Sequence, residues 1–349
     1  MCEHFLPVTD VKRRMTVPLQ SEPQALLKRM LSMPFTHEGK TLPREYIGRI
    51  TSPREHTDPI VRVDGVATIE DVTISSYDGG TFTARLYTPV GSGPFPIHVY
   101  FHGGGWIVGS AYDDRTDLFN QNRCAETHSA VLNVDYRLAP EFRFPTGPED
   151  CYSAVLWAHD HAAEFDGDAD RISVGGASAG GNLAAVVSVM AQDRKGPKLI
   201  LQLLEIAELD CTKSTYMWRY GSPNYDVTRE DDLLGVDMYL PDPRDKVNPY
   251  ASPMMAPDLS NVAPVYALSA EFDPRRDSVE MYAARIQDAG GEAVTRTMLG
   301  HIHGSNMLID NWEPARQWQA EANAALRHAN TSKSGRVFDD FDPERDSTR

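Results

Sequence analysis

The sequence predicts an α/β fold: a mostly parallel central sheet with helices on both faces and a helical cap. Three observations predict it. From about Ile69 to His328, short apolar runs alternate with helical patterns, which is how strand–helix units covering both faces of a sheet read. One run, Arg171 to Val174, passes directly into Gly176-Ala177-Ser178-Ala179-Gly180 and then a helix-forming stretch. The 349 residues suffice for one large α/β domain with an accessory region, or for two domains.

Taken in order, residues 1–60 are rich in Pro, Arg and Met and hold one expected helix. Ser21 can cap it, Pro23 suits its first turn, and Leu26, Leu27, Met30 and Leu31 form an apolar stripe. This segment is read as part of a cap. Residues 61–332 form the main domain. It opens with a β-hairpin, in which Val72 to Ser76 and Thr81 to Tyr87 flank Asp78-Gly79-Gly80. Strands are expected at Ile97 to Phe101, Ala130 to Tyr136, Arg171 to Val174, Leu199 to Leu204, Val265 to Ser269 and Val294 to Leu299. Cys151, Ala154, Val155 and Ala158 mark one buried helical face. Further helices are expected from Leu183, from Ser278 to Ala289, and from Trp312 to His328.

Residues 211–246 break the rhythm with Tyr216, Met217, Trp218, Tyr220, Tyr225, Leu234, Met238 and Tyr239. An insertion of this kind can lie over the C-terminal ends of the strands, where open α/β sheets bind ligands. Aromatics in an insertion more often form a small core of its own, which is the competing reading. Residues 333–349 are charged and sparse in apolar side chains, and disorder is expected there.

Hydrophobic content of 41% and charged content of 24% are ordinary for a soluble enzyme. A net charge of −16 disfavours nucleic acid and anionic membranes as partners. Cys2, Cys124, Cys151 and Cys211 show no paired spacing, so free thiols in a reducing compartment are expected. Glu3, His4 and Asp10 stand near the N-terminus and no apolar run reaches membrane-spanning length. A cytoplasmic location without a signal peptide or membrane span is therefore expected. No zinc-ligand cluster or phosphate-cradling glycine loop is evident, so no metal and no cofactor are expected.

Gly176-x-Ser178-x-Gly180 between a strand and a helix is the pattern of a nucleophile elbow, a tight turn that lifts a serine hydroxyl clear of the sheet. A serine nucleophile needs a base, a carboxylate to orient that base, and donors for an oxyanion. In this type of fold the order is Ser, then Asp or Glu, then His. Asp273 follows the run Val265 to Ser269, with Glu271 and Asp277 as nearby competitors. Gly300-His301-Ile302-His303-Gly304 follows the last strand and supplies two candidate bases.

These motifs in order resemble the bacterial hormone-sensitive-lipase-like family of α/β-hydrolases, carboxylesterases with an HGGG loop and a GxSxG elbow. The resemblance covers about Ile69 to Ala325. It rests on His102-Gly103-Gly104-Gly105-Trp106, Tyr136-Arg137-Leu138-Ala139-Pro140-Glu141, Phe144-Pro145, the Ser178 segment, Asp273-Pro274-x-x-Asp277 and His303-Gly304. It implies the α/β-hydrolase fold, with Ser178 as nucleophile, His303 as base and Asp273 as its orienter. It also implies backbone donors at Gly104, Gly105 and Ala179. The His-Gly dipeptide of the family favours His303 over His301. Asp277 is expected to cap its helix, His102 to orient its loop, and Arg137, Glu141 and Asp150 to form a buried polar network.

The implied activity is hydrolysis of short- to medium-chain carboxylic esters through an acyl-enzyme. The implied partner is a small-molecule ester, and the resemblance leaves a homodimer open. Amide cleavage, as in arylformamidases, and acyl transfer are alternatives, with a non-catalytic ligand-binding homologue a more distant one. The chain departs from the family pattern at Ala177, at Ser305, and at Leu204-Glu205-Ile206-Ala207-Glu208, where a Tyr-Pro pair is usual. Glu205 and Glu208 are expected to be exposed or to serve local structure; the other reading has them lining the pocket.

Overall fold

Eight strands form one sheet in the order β1-β2-β4-β3-β5-β6-β7-β8. They are β1 (Val66–Ser75), β2 (Thr81–Pro89), β3 (Phe95–Phe101), β4 (Ala130–Asp135), β5 (Gly167–Ala177), β6 (Leu199–Glu205), β7 (Val265–Phe272) and β8 (Ala293–Ile302). The computed structural model describes residues 62–220, 229–310, 312–332 and 336–348. The N-terminal cap segment, with its expected helix from Ser21, lies outside the described residues. The first two strands form the expected hairpin, closed by the Ser76 N–H donating to the Gly80 carbonyl at 2.9 Å. From β4 to β8 every pairing is parallel, and β2 joins β4 antiparallel.

The helices are α1 (Asp114–Thr127), α2 (Thr146–Asp160), α3 (Ala179–Arg194), α4 (Tyr216–Tyr220), α5 (Arg229–Tyr239), α6 (Arg276–Asp288), α7 (Glu313–Thr331) and α8 (Pro343–Asp346). They divide between the faces of the sheet. On one side α2, α3 and α6 bury Val155, Leu183, Val187 and Tyr282 against Ile97, Val99, Leu132 and Val174. On the other, α7 seats Trp318, Ala322 and Leu326 on Leu201, Leu203 and Leu268. Phe119 and Cys124 of α1 meet Tyr87, Tyr100 and Val131 there. Strand β3 shows why both faces must be covered: its whole length is buried, with Ile97, Val99 and Phe101 pointing to one face and Tyr100 to the other.

Helix α1 is not among the helices expected from the sequence, and the structure shows why. Its buried positions include Asp117, Asn120, Gln121 and Arg123 beside Phe119 and Cys124, so no apolar stripe marks the inward face. Those polar groups are paired. Gln121 and Tyr87 donate to Asp117, and Arg123 reaches Glu205.

The structure also differs from the expectation for residues 333–349. Val337, Phe338 and Phe341 pack beside α7, with the Phe338 and Phe341 rings 5.5 and 5.3 Å from Tyr266. The Val337 N–H donates to Glu292. Three apolar side chains amid many charges suffice to dock the segment where the sheet face offers a buried tyrosine. No helix among the described residues is long and apolar enough to cross a membrane.

Candidate active site

The geometry begins at the end of β5. Gly176 pairs with Phe101 of β3, and Ala177 with Glu205 of β6, so Ser178 leaves the sheet at its centre. Ser178 adopts φ +57° and ψ −117°, a left-handed conformation that costs a non-glycine residue of order 1–3 kcal/mol. Its neighbours hold it there. The Ser178 N–H donates to the Glu205 carbonyl at 2.9 Å, and its carbonyl accepts from Asn182 and Glu208 at 3.0 and 3.2 Å. A Cβ on Gly180 would stand 1.9 Å from the Phe101 carbonyl oxygen. Only glycine therefore lets α3 start so close to β3.

The structure brings Ser178, His303 and Asp273 together. Ser178 Oγ lies 2.9 Å from His303 Nε2, and His303 Nδ1 lies 2.8 Å from Asp273 Oδ2. Asp273 is acceptor only when ionised, so Nδ1 carries the proton and Nε2 is left to accept from the serine hydroxyl. Asp273 is almost fully buried, which pushes its carboxyl up. The facing His303 ring and the Arg275 guanidinium outweigh burial and hold it below the usual carboxylate range. Its second oxygen accepts from the Arg275 backbone N–H at 2.9 Å, and Arg275 Nη1 stands 3.5 Å from the same oxygen.

The competing candidates fall elsewhere. His301 is buried between Trp312 and Trp318, with ring centroids at 4.4 and 4.9 Å. Burial pushes it down to about 4, and its Nδ1 pairs with Ser305 Oγ. That gives the unusual Ser305 a structural partner. Glu271 accepts from the Gly300 N–H. Asp277 does not cap its own helix; it accepts from the Met217 N–H at the start of α4. His102 stacks on Tyr136 at 4.3 Å, its ring buried and held below the ordinary value by desolvation. Its carbonyl accepts from the Tyr136 hydroxyl, which anchors the glycine loop. Arg137 and Asp150 are paired as expected, joined by Ser76 and Asp78. Glu141 is exposed, not buried as expected.

The glycine loop turns back on itself, with the Ile107 and Val108 N–H groups both donating to the Gly104 carbonyl. Gly104 has φ +120°, and a Cβ there would meet the Val108 carbonyl oxygen at 2.0 Å. The loop thereby carries its Gly104 and Gly105 backbone to the cavity that holds Ser178 and His303. Ala179 opens α3, so its N–H is among those a helix leaves without an internal partner. The cavity is about 340 Å³ and largely apolar, walled by Ile107, Val108, Ile206, Leu234 and Met307.

Leu234 belongs to the 211–246 insertion, which divides its roles. Leu234, Gly235 and Asp232 of α5 line the cavity, whereas Tyr239 stacks on Trp106 at 4.5 Å and packs against Phe144. Tyr225 lies outside the described residues.

Glu205 and Glu208 are not exposed. Glu205 is fully buried, accepting from Arg123 Nη2 and Trp318 Nε1, each at 2.8 Å. Glu208 is buried against Lys213 and Arg275. Arg275 and Lys213 also reach Asp232 at 2.6 and 2.7 Å. Neither Arg275, Asp232 nor Lys213 is a sequence-level candidate. The available signal was a cation at the third position of Asp273-Pro274-Arg275, whose partners stand far away along the chain.

The sequence matches the family described as alpha/beta hydrolase fold over residues 98–307. It is similar to an arylesterase of Saccharolobus solfataricus, 40% identical over 223 residues, which is 63% of this chain and 71% of the relative. It is similar to the carboxylic ester hydrolase LipN of Mycobacterium tuberculosis, 40% identical over 243 residues, 67% of this chain and 64% of the relative. In three dimensions it is similar to a hyperthermophilic esterase of the archaeon Pyrobaculum calidifontis. There the TM-score is 0.79 at 32% identity, covering 89% of this chain and 98% of that one.

Proposed function

The chain belongs to the hormone-sensitive-lipase-like carboxylesterases of the alpha/beta hydrolase fold, and from that premise we propose that it hydrolyses short- to medium-chain acyl esters through Ser178, His303 and Asp273. The observation that carries the reading is the unbroken line Asp273–His303–Ser178 at 2.8 and 2.9 Å, with the serine on a strained elbow at the cavity wall.

The chemistry follows from the donors and acceptors. His303 Nε2 takes the hydroxyl proton as Ser178 Oγ attacks the ester carbonyl carbon, and the carbonyl π pair moves onto its oxygen. Asp273 faces the imidazolium so formed and keeps its tautomer. Backbone N–H groups of Gly104, Gly105 and Ala179 receive the oxyanion. Removing one such donor typically costs on the order of 10²–10³ in rate. As the tetrahedral intermediate collapses, the bond to the leaving alcohol breaks and His303 passes the proton to that oxygen. Water then repeats the sequence on the acyl-enzyme, releasing the carboxylic acid and restoring Ser178.

The cavity of about 340 Å³ is at the small end of ligand sites, which supports an ester of modest chain length. Helix α5, within the 211–246 insertion, serves as a cap to the degree that it supplies Leu234 and Gly235 to the cavity wall. The protein is expected to hydrolyse p-nitrophenyl butyrate. Ser178→Ala should remove that activity, and labelling by a fluorophosphonate, while circular dichroism stays that of the parent. Retained turnover in the folded variant would refute the mechanism.

A further inference from the structure

Beside the Ser178–His303–Asp273 line lies a buried cluster of charges that the reaction as written does not use. Three chain segments build it, Glu208 and Lys213 from the loop after β6, Asp232 from α5 and Arg275 from the loop after β7, and it meets the line at Asp273, which faces His303. Arg275 sits at its centre. Its Nε donates to Glu208 at 3.0 Å, its Nη2 to Asp232 at 2.6 Å, and its Nη1 stands 3.5 Å from Asp273. Trp218 Nε1 adds a donor to Asp232 at 2.7 Å.

Burying this many charges is costly unless each is paired, and pairing here is mutual. Burial pushes Asp232 up, but Arg275, Lys213 and Trp218 outweigh it and hold it well below the usual carboxylate range. Burial pushes Glu208 up, with Lys213 and Arg275 opposing. The other charges near the line are engaged elsewhere: Glu205 with Arg123, Glu271 with the Gly300 N–H, and Asp277 with the Met217 N–H.

We propose that Arg275 is a positioning residue for the Asp273–His303 pair. Held in place by Asp232 of α5, it joins the seating of that helix to the charge felt by the base. Arg275 and His303 share one carboxylate from opposite sides, since each faces a different oxygen of Asp273. A cation on the far oxygen draws part of the attraction that would otherwise stabilise the imidazolium. Asp232 in turn neutralises part of Arg275. The two therefore act on His303 with opposite signs.

The inference rests on the triad reading above, and the test separates the two. The acid limb of kcat/KM for p-nitrophenyl butyrate reports the free enzyme's base, so changes in substrate binding do not move it. Arg275→Gln removes the cation and is expected to shift that limb to higher pH by about one unit. Asp232→Asn removes the neutralising charge and should shift it to lower pH by about half a unit. Arg275→Lys keeps a cation near Asp273 and should leave the limb near the parent's while lowering the thermal midpoint.

Limbs that stay at the parent's position in all variants, or that move the same way in Arg275→Gln and Asp232→Asn, would overturn the proposal and leave Arg275 as a strut. If Arg275→Gln does not fold, the near-isosteric Asp232→Asn carries the test: a downward shift supports it, and an unmoved or upward limb refutes it. Ser178→Ala distinguishes the two levels. An inactive Ser178→Ala with unmoved limbs refutes only the role of Arg275, whereas an active Ser178→Ala refutes the triad itself.

Discussion

Two histidines two positions apart meet different surroundings, and that difference decides their chemistry. His303 reaches both Ser178 and Asp273, whereas His301 is walled in by Trp312 and Trp318 and pushed down to about 4 by burial. Alternation along β8 sends neighbouring side chains to opposite sides, but the two-residue spacing here spans the strand's end, where the chain turns at Gly304. Losing a general base typically costs about 10²–10⁴ in rate. His303→Ala should therefore fall by that factor in kcat/KM. His301→Ala should keep turnover within a few-fold of the parent while lowering the thermal midpoint, because it empties a site between two tryptophans. Equal activity of His303→Ala and the parent would reverse the assignment. The residue pattern alone left both histidines open, and only the family's His-Gly dipeptide favoured His303.

At the scale of elements, the legible ones are those whose inward face is apolar. The hairpin around Asp78-Gly79-Gly80, the run Ile97 to Phe101 and the helical face of Cys151, Ala154, Val155 and Ala158 all stand where periodicity places them. Helix α1 was silent because it buries Asn120, Gln121 and Arg123. Its entry carries a measurable charge effect. Asp113, at the N-cap, is pushed up to about 6 by burial and by Asp135 and Asp114, against the Ser110 N–H that it accepts. A carboxyl raised in the folded state costs stability above that pH and none below its unfolded value of about 3.9. Asp113→Asn, whose carbonyl can still accept from Ser110, should raise the thermal midpoint at pH 8. The gain should shrink as pH falls below about 6 and vanish at about pH 2.5, well below the unfolded value, where both states bind the proton. A gain that is undiminished there would mean that the effect is not the charge.

For the whole molecule, the face of the sheet opposite α2, α3 and α6 is closed by a buried ion pair as well as by apolar packing. Arg123 of α1 meets Glu205 at the end of β6, and Trp318 of α7 donates to the same carboxylate. Both charged side chains are fully buried. Removing one partner of such a pair typically costs 3–5 kcal/mol because the other charge is stranded, whereas replacing both by apolar groups is often near neutral. Denaturant melts should therefore find Arg123→Met strongly destabilised and Arg123→Met/Glu205→Leu much less so. Additive losses would show that the two do not act as a pair. Because Glu205 also lends its backbone carbonyl to the Ser178 N–H, the single variant should lose activity along with stability.

The features legible in the residues alone are those encoded locally. Strand runs, the glycine loop, the elbow and the order Ser178, Asp273, His303 each depend on residues that are neighbours in the chain, or on glycines whose backbone need is visible in place. Tertiary structure decided where isolated polar residues go. Glu205, Glu208, Arg275, Asp232 and Arg123 carry no periodic signal, and each finds its partner across long stretches of chain. A charge is silent in sequence because exposure and paired burial use the same residue types, and only the partner's position tells them apart. The same holds for Phe338 and Phe341, whose order depends on Tyr266 being there to receive them.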